Sequence, residues 1–314
     1  MRLSGDSDAV DVGVICGPTA AGKSALARRI AAHTPVTIIA ADSRQIYRSF
    51  DIGTAKPDAA ERERVPHRGI DIADPGERYS AAAWAAAADG WIDEARAARR
   101  LPLIVGGTGL YLRALFTGLF AEPPLHGERR ESLARALGAL DLAELRRWAT
   151  RLDPARAHLG RTQLLRAIEV ALLTGQRLSD LHAAPRGDRR WTPRYLVVDP
   201  GPDLLDRITS RTDDMLEHGW PEEVARLMDT VPGASPAWNA TGYDAVRRMV
   251  LGEATPSDTR EAVVIRTRQY AKRQRTWFRH QLPMDRVTRV NPSDGQATDA
   301  VVATWMSLLI TSKE

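Results

Sequence analysis

Short apolar runs alternate with stretches of helical periodicity in the first third of the chain. Residues 12–16 are apolar, GPTAAGKS follows at 17–24, and residues 25–32 are helix formers stopped by His33-Thr34-Pro35. A second apolar run, VTIIA, leads to Asp42. Residues 81–99 predict a long Ala-rich helix with Trp84 and Trp91 one heptad apart. LPLIVGG at 101–107 predicts a strand ending in a glycine turn. Strands alternating with helices predict a parallel α/β sheet.

The pattern changes near Glu122-Pro123-Pro124. From there to about Arg190 the chain reads as helix with charged faces and no strand signal. Leu164, Leu165, Ile168 and Leu172 make a stripe at helical spacing, and Thr174-Gly175 stops that helix. RYLVVD at 194–199 returns to a strand pattern, and three helical segments follow, the last over 259–281. The expected architecture is α/β: a P-loop NTPase-like parallel sheet core over residues 1–121 and 191–314, interrupted by a helical insertion over 122–190.

Gly17, Pro18, Thr19, Ala20, Ala21, Gly22, Lys23 and Ser24 match GxxxxGK[ST] after a predicted strand and before a predicted helix. Glycines let the backbone wrap phosphate oxygens, and the helix N-terminus points amides at the anion. Lys23 reaches the same oxygens and Ser24 is the candidate ligand for Mg²⁺. The motif predicts phosphate binding without specifying hydrolysis. A nucleotide hydrolase also needs an acidic residue at a neighbouring strand end, where Asp42 and Asp199 are the candidates. Asp42 also reads as a cap on the turn after it. It is followed by Ser43, Arg44 and Gln45, a set suited to nucleic-acid contact.

The last predicted helix carries Arg268, Lys272, Arg275 and Arg279 at i, i+4, i+7 and i+11, with Val263, Thr267, Tyr270 and Trp277 roughly opposite. Residues 265–278 contain no acid. A solvated face normally mixes signs, so this stripe predicts a polyanion, either a diphosphate or an RNA backbone.

In order along the chain stand GPTAAGKS, ADSRQIYRSFDIGTAKP, VPHRGIDIADP, VGGTGLYLRAL, RAIEVALLTG and TRQYAKRQRTWFR. From about residue 12 to 279 the chain resembles the tRNA dimethylallyltransferase (tRNA isopentenyltransferase) family. The resemblance implies transfer of a dimethylallyl group from dimethylallyl diphosphate to N6 of adenine 37, beside the anticodon of tRNA, with Mg²⁺ as cofactor. Asp42 would take the proton from the amine, with Lys23 and Thr19 at the reacting diphosphate. Residues 17–24 would hold that diphosphate together with Arg268, Lys272 or Arg273. The anticodon stem-loop would meet Asp42, Ser43, Arg44, Gln45, Thr108 and Arg130, and in the insertion Gln163, Leu164, Leu165, Arg166 and Ala167. The target base would leave its stack to reach the diphosphate.

Three departures from the family pattern stand out. Leu159-Gly160 occupies the place of an Asn-Asp pair, Gln163 stands where arginine is common, and Ala245 replaces a frequent glutamate. No C-terminal Cys/His finger is present, as expected of the bacterial form. Alternatives are a prenyltransferase for free adenine nucleotides, a P-loop kinase or NTPase, and a non-enzymatic RNA-binding protein. The first would have no need of an RNA-reading insertion, and the last leaves the loop and Asp42 without a purpose.

Composition narrows the class little further. Of 314 residues, 43% are hydrophobic and 27% charged, with net charge +4. The pI is about 9.4 and the mean hydropathy −0.32. Basic positions are nearly all arginine, the lysines being Lys23, Lys56, Lys272 and Lys313. Cys16 is the single cysteine, which excludes an intrachain disulfide and a cysteine zinc site. No apolar run approaches the ~20 residues of a membrane span, and the polar N-terminus lacks the apolar core of a secretion signal. The expectation is a monomeric cytoplasmic protein.

Overall fold

The computed structural model describes residues 10–118, 127–183 and 190–311. The chain divides into two compact units: Met1–Phe116 with Arg189–Glu314, and Thr117–Asp188. The sequence-expected boundary at 121/122 lies outside the described residues.

The first unit begins with β1 (Val10–Cys16), α1 (Lys23–Ala31) and β2 (Val36–Ala41). Next come α2 (Ala59–Arg64), β3 (His67–Arg68), α3 (Ala81–Ala97), β4 (Leu101–Gly106) and α4 (Gly109–Phe116). The second unit holds α5 (Gly127–Gly138), α6 (Leu142–Leu152), α7 (Arg161–Thr174) and α8 (Leu178–Ala183). The first unit resumes with β5 (Trp191–Val198), α9 (Leu204–Glu217), α10 (Trp220–Thr230), α11 (Tyr243–Val250) and α12 (Pro256–His280). β6 (Val287–Val290) and α13 (Gln296–Thr311) follow.

The six strands are parallel in the order β3-β2-β4-β1-β5-β6. β2 and β4 are buried along their whole length, as expected of central parallel strands covered on both faces. Their runs are therefore continuously apolar rather than alternating. The core on one side of the sheet joins Ile15, Leu26, Ile30, Leu103 and Leu196 to Trp305 and Leu309 of α13. On α3, Trp84 is fully buried and its indole N–H donates to the Ala40 carbonyl at 3.0 Å. It stacks on Tyr111 with ring centroids 4.7 Å apart.

Three sequence expectations are corrected. Four helices, not three, separate β5 from the chain beyond residue 281, and α12 begins at Pro256, where Thr255 accepts from the Asp258 N–H. β6 extends the sheet past β5; its VTRV segment is too short and too polar to stand out from the loop around it. α1 starts at Lys23 rather than residue 25, because the glycine loop runs directly into the first turn.

The second unit packs on its own core of Leu137, Leu145, Ala149, Leu164 and Ile168. Asp141 caps α6 by accepting from the Glu144 N–H at 2.8 Å. α7 ends at Gly175, whose φ of +71° terminates the helix. Asp153, wholly buried, holds the start of α8 through the Ser179 N–H at 2.9 Å.

Candidate active site

The phosphate loop joins the C-terminal end of β1 to α1. Gly17 and Gly22 have φ of +145° and +95°, and a Cβ on Gly17 would sit 2.1 Å from the Val198 carbonyl oxygen. Glycine is thus required where the loop crosses β5. The Lys23 ammonium folds back and donates to the Pro18 carbonyl at 2.7 Å. Burial pulls its pKa down to about 8, against the opposing pull of Asp42. Cys16, immediately before the loop, is buried, and burial pushes its thiol up to about 12.

A cavity of about 700 Å³ opens over this loop. One wall consists of Thr19, Gly22, Lys23 and Ser24, with Asp42, Arg44 and Gln45 beyond them. The lining also includes Arg207, Arg211 and Met215 of α9, Trp220 of α10, and Val263, Thr267, Tyr270 and Gln274 of α12. Those four α12 residues fall at i, i+4, i+7 and i+11, one face of the helix.

The basic stripe of α12 lies on another face. Arg268, Lys272 and Arg273 are exposed and do not line the cavity. Arg275 is tied to the Asp199 carboxylate and donates to the Gly201 carbonyl at 2.6 Å. Arg268, Lys272 and Arg273, expected on the phosphate side, are thus not part of the cavity lining. The Arg275 contact also leaves Asp199 engaged in an ion pair. Besides Arg28 and Arg44, the cavity is lined by Arg207 and Arg211, one turn apart on α9. Arg211 approaches the Thr19 hydroxyl at 3.5 Å, and burial lowers its pKa while Asp42 opposes that shift.

Asp42 follows the last residue of β2, as the sequence predicts. Its Oδ1 accepts from the Arg44 N–H at 2.8 Å, so it does cap the following turn. That leaves Oδ2 for an incoming proton. Ser43 and Thr108 are joined: the Ser43 N–H donates to Thr108 Oγ1 at 3.0 Å. The Thr108 N–H donates to the Ala41 carbonyl at 3.1 Å, and Thr108 also hydrogen-bonds Tyr270. Burial first, then Asp42, pushes the Tyr270 hydroxyl up to about 12. Thr108 therefore braces the Asp42 turn against α12. Gln45 lines the cavity while its Nε2 donates to the Thr54 and Ala55 carbonyls, each at 3.0 Å.

Two lysines of the segments quoted above thus play different parts. Lys23 faces the cavity, whereas the Lys56 side chain is 1% exposed and bound to Asp51 at 2.7 Å and Asp71 at 2.6 Å. The sequence alone did not single out Arg207, Arg211, Trp220, Glu223, Tyr270 or Gln274 as site residues. The i, i+4 pair Arg207 and Arg211 is the one sequence signal that could have marked any of them.

The expected contact residues of the second unit are described by themselves. Leu164 and Ala167 are fully buried in that unit's own clusters, which corrects their assignment as RNA contacts. Leu165 packs partly buried against the same core. Gln163 accepts from the Gly160 N–H at 3.2 Å, closing the first turn of α7. Arg130 donates to Glu169 at 2.7 Å, and Arg166 pairs with the other oxygen of the same buried carboxylate.

Ser24 lines the cavity beside the loop. Among the described residues no group of three His, Cys, Asp or Glu could cage a metal. This donor set fits Mg²⁺, which takes much of its coordination from phosphate and water.

A family model described as IPP transferase matches residues 45–281, and one described as isopentenyl transferase matches residues 10–68. The chain is 40% identical over 273 residues to a tRNA dimethylallyltransferase of Synechococcus sp., covering 85% of this chain and 86% of the relative. It is also 40% identical over 289 residues to a tRNA dimethylallyltransferase of Rhodopseudomonas palustris, covering 90% of each. A solved tRNA isopentenylpyrophosphate transferase of Bacillus halodurans superposes with a TM-score of 0.68 at 29% identity, covering 96% of this chain and 97% of that one.

Proposed function

The chain belongs to the IPP transferase family, and from that premise we propose that it transfers a dimethylallyl group from dimethylallyl diphosphate to N6 of adenine 37 in tRNA. The observation that carries this reading is that Asp42 and the phosphate loop line one cavity. A phosphate site alone serves many reactions. A carboxylate beside it adds what an adenine amine needs, since the N6 lone pair is delocalised into the ring.

As the bond from N6 to the prenyl C1 forms, the bond from C1 to the diphosphate oxygen breaks. The electron pair leaves with the diphosphate. The N6 proton passes to Asp42. Lys23, Arg211 and the loop amides are the groups suited to stabilise the departing charge. Ser24 would hold Mg²⁺, which when bound supplies further positive charge to the diphosphate. The anticodon stem-loop would also meet the helical unit, whose exposed arginines include Arg146, Arg147 and Arg151. The protein is proposed to act as a monomer in the cytoplasm. Among the described residues no helix is long and apolar enough to cross a membrane.

The deciding experiment is transfer from dimethylallyl diphosphate to an anticodon stem-loop RNA and, separately, to AMP, read by mass spectrometry of the nucleosides. Prenyl adenosine in the RNA supports the reading. Product on AMP alone would replace it with free-nucleotide prenylation. Asp42→Ala is expected to lower kcat by about 10²-fold or more, in the range for loss of a general base. A near-normal single-turnover rate with saturating RNA would remove Asp42 from that role.

A further inference from the structure

We propose that Glu223 is a positioning residue for the acceptor side of the cavity, acting through the loop of residues 51–55. The kinetic part of this inference rests on the transfer reading above. The structural part does not.

Glu223 lies on α10 and is 3% exposed. Its Oε2 accepts from the Asp51 N–H at 2.9 Å and the Ile52 N–H at 2.6 Å. Its Oε1 accepts from the Tyr243 hydroxyl at 2.6 Å and the Gly53 N–H at 3.4 Å. Burying a carboxylate is costly unless its lone pairs are met. Here three successive amides and one phenol meet them. Tyr243 is itself fully buried. Burial, followed by the Glu223 charge, raises its pKa far above its usual value, so the phenol remains a donor.

The contacts then run to the cavity. The loop held at 51–53 continues into Thr54 and Ala55, whose carbonyls receive the Gln45 amide. Gly53, Thr54, Ala55 and Gln45 all line the same cavity as Asp42. Gly53 also allows the loop to approach the Trp220 ring, since a Cβ there would lie 2.2 Å from Trp220 Nε1. The phosphate loop has its own bracket in Gln274, bonded to the Thr19 N–H and the Gly107 carbonyl. None of the bonds made by Glu223 touches the phosphate loop. Loosening Glu223 therefore disturbs the acceptor wall selectively.

The test uses the full chain with Glu223→Gln, which keeps side-chain size but turns an NH₂ toward an amide or phenol donor, and with Tyr243→Phe, which removes one donor only. Glu223→Gln is expected to raise KM for an anticodon stem-loop about tenfold, with KM for dimethylallyl diphosphate and Kd for inorganic pyrophosphate changing less than about twofold. Tyr243→Phe should move the same constant in the same direction by a smaller factor. Hydrogen exchange of the amides at 51–53 should speed up in Glu223→Gln at temperatures well below its Tm. A parallel rise in both KM values, unchanged values for both substrates, or unchanged exchange would overturn the proposal. If the wild-type chain transfers nothing to RNA, the transfer reading fails by itself. Exchange and pyrophosphate binding then still decide whether Glu223 holds the loop without touching the phosphate side.

Discussion

The Gln274 carboxamide accepts a hydrogen bond from the Thr19 backbone N–H at 2.8 Å, across 255 positions of sequence. The same group donates to the Gly107 carbonyl at 2.9 Å, and it is 6% exposed. One buried side chain thus fixes the phosphate loop, the end of β4 and α12 relative to one another. Gly107 has no Cβ at a point where one would lie 2.2 Å from Gln274 Nε2.

Gln274→Ala leaves the Thr19 N–H and the Gly107 carbonyl without this partner. The expected cost is about 1–3 kcal/mol in stability, seen as a lower denaturation midpoint. Pyrophosphate binding should weaken more than RNA binding, because the loop loses its bracket. Titration calorimetry with pyrophosphate checks this, and an unchanged Kd would refute the link.

Donor binding should depend on pH on the alkaline side. Burial lowers the Lys23 pKa to about 8 in the free protein, and an anion needs the protonated ammonium. Below about pH 8 the lysine is charged and kcat/KM for the diphosphate donor should be flat with respect to this group. Above it the free protein must first take up a proton, so kcat/KM should fall about tenfold per pH unit. A flat profile from pH 8 to 10 would refute the assignment.

Lys56→Met removes the cation that Asp51 and Asp71 share. Its side chain is almost fully enclosed, but Asp51 is 51% exposed and Asp71 keeps Arg62, so water and the remaining arginine offset part of the loss. The expected cost is about 1–3 kcal/mol, between the exposed and the buried limits. Chemical denaturation measures it, and a loss under about 1 kcal/mol would show that Arg62, which also binds Asp71 at 2.6 Å, carries the pair alone.

Gly53→Ala tests the close approach of the loop to Trp220. The added methyl would lie 2.2 Å from the indole nitrogen and 2.6 Å from the Tyr243 ring. Overpacking of this kind costs about 1–3 kcal/mol. The expected signature is a lower Tm with a changed Trp emission. A variant as stable as wild type would mean that the loop can shift away from α10.

What was legible in the sequence was whatever is contiguous. The phosphate loop needs its residues in one run, and Asp42 is marked by its place at the end of an apolar run. The strands showed because central parallel strands are apolar on both faces. The cavity's far wall did not show. Arg211, Trp220 and Gln274 come from three helices, and only the packing of α9, α10 and α12 brings them to one cavity. Helical periodicity correctly grouped Arg268, Lys272, Arg275 and Arg279. It does not state which way a face points, and the face that lines the cavity is the one with Tyr270 and Gln274. In the second unit the RAIEV run suggested a contact surface, but Leu164 and Ala167 are spent on the core.

Strand order also has a consequence for synthesis on the ribosome. β1 lies between β4 and β5, but β5 is encoded after the entire second unit. The nascent chain therefore carries β1 with one edge paired to β4 and the other edge bare while Thr117–Asp188 is being made. At roughly 5–20 residues per second this interval lasts several seconds. An apolar strand with an open edge is a template for pairing with other chains. Nascent chains arrested before Trp191 are thus the form of this protein most in need of a chaperone.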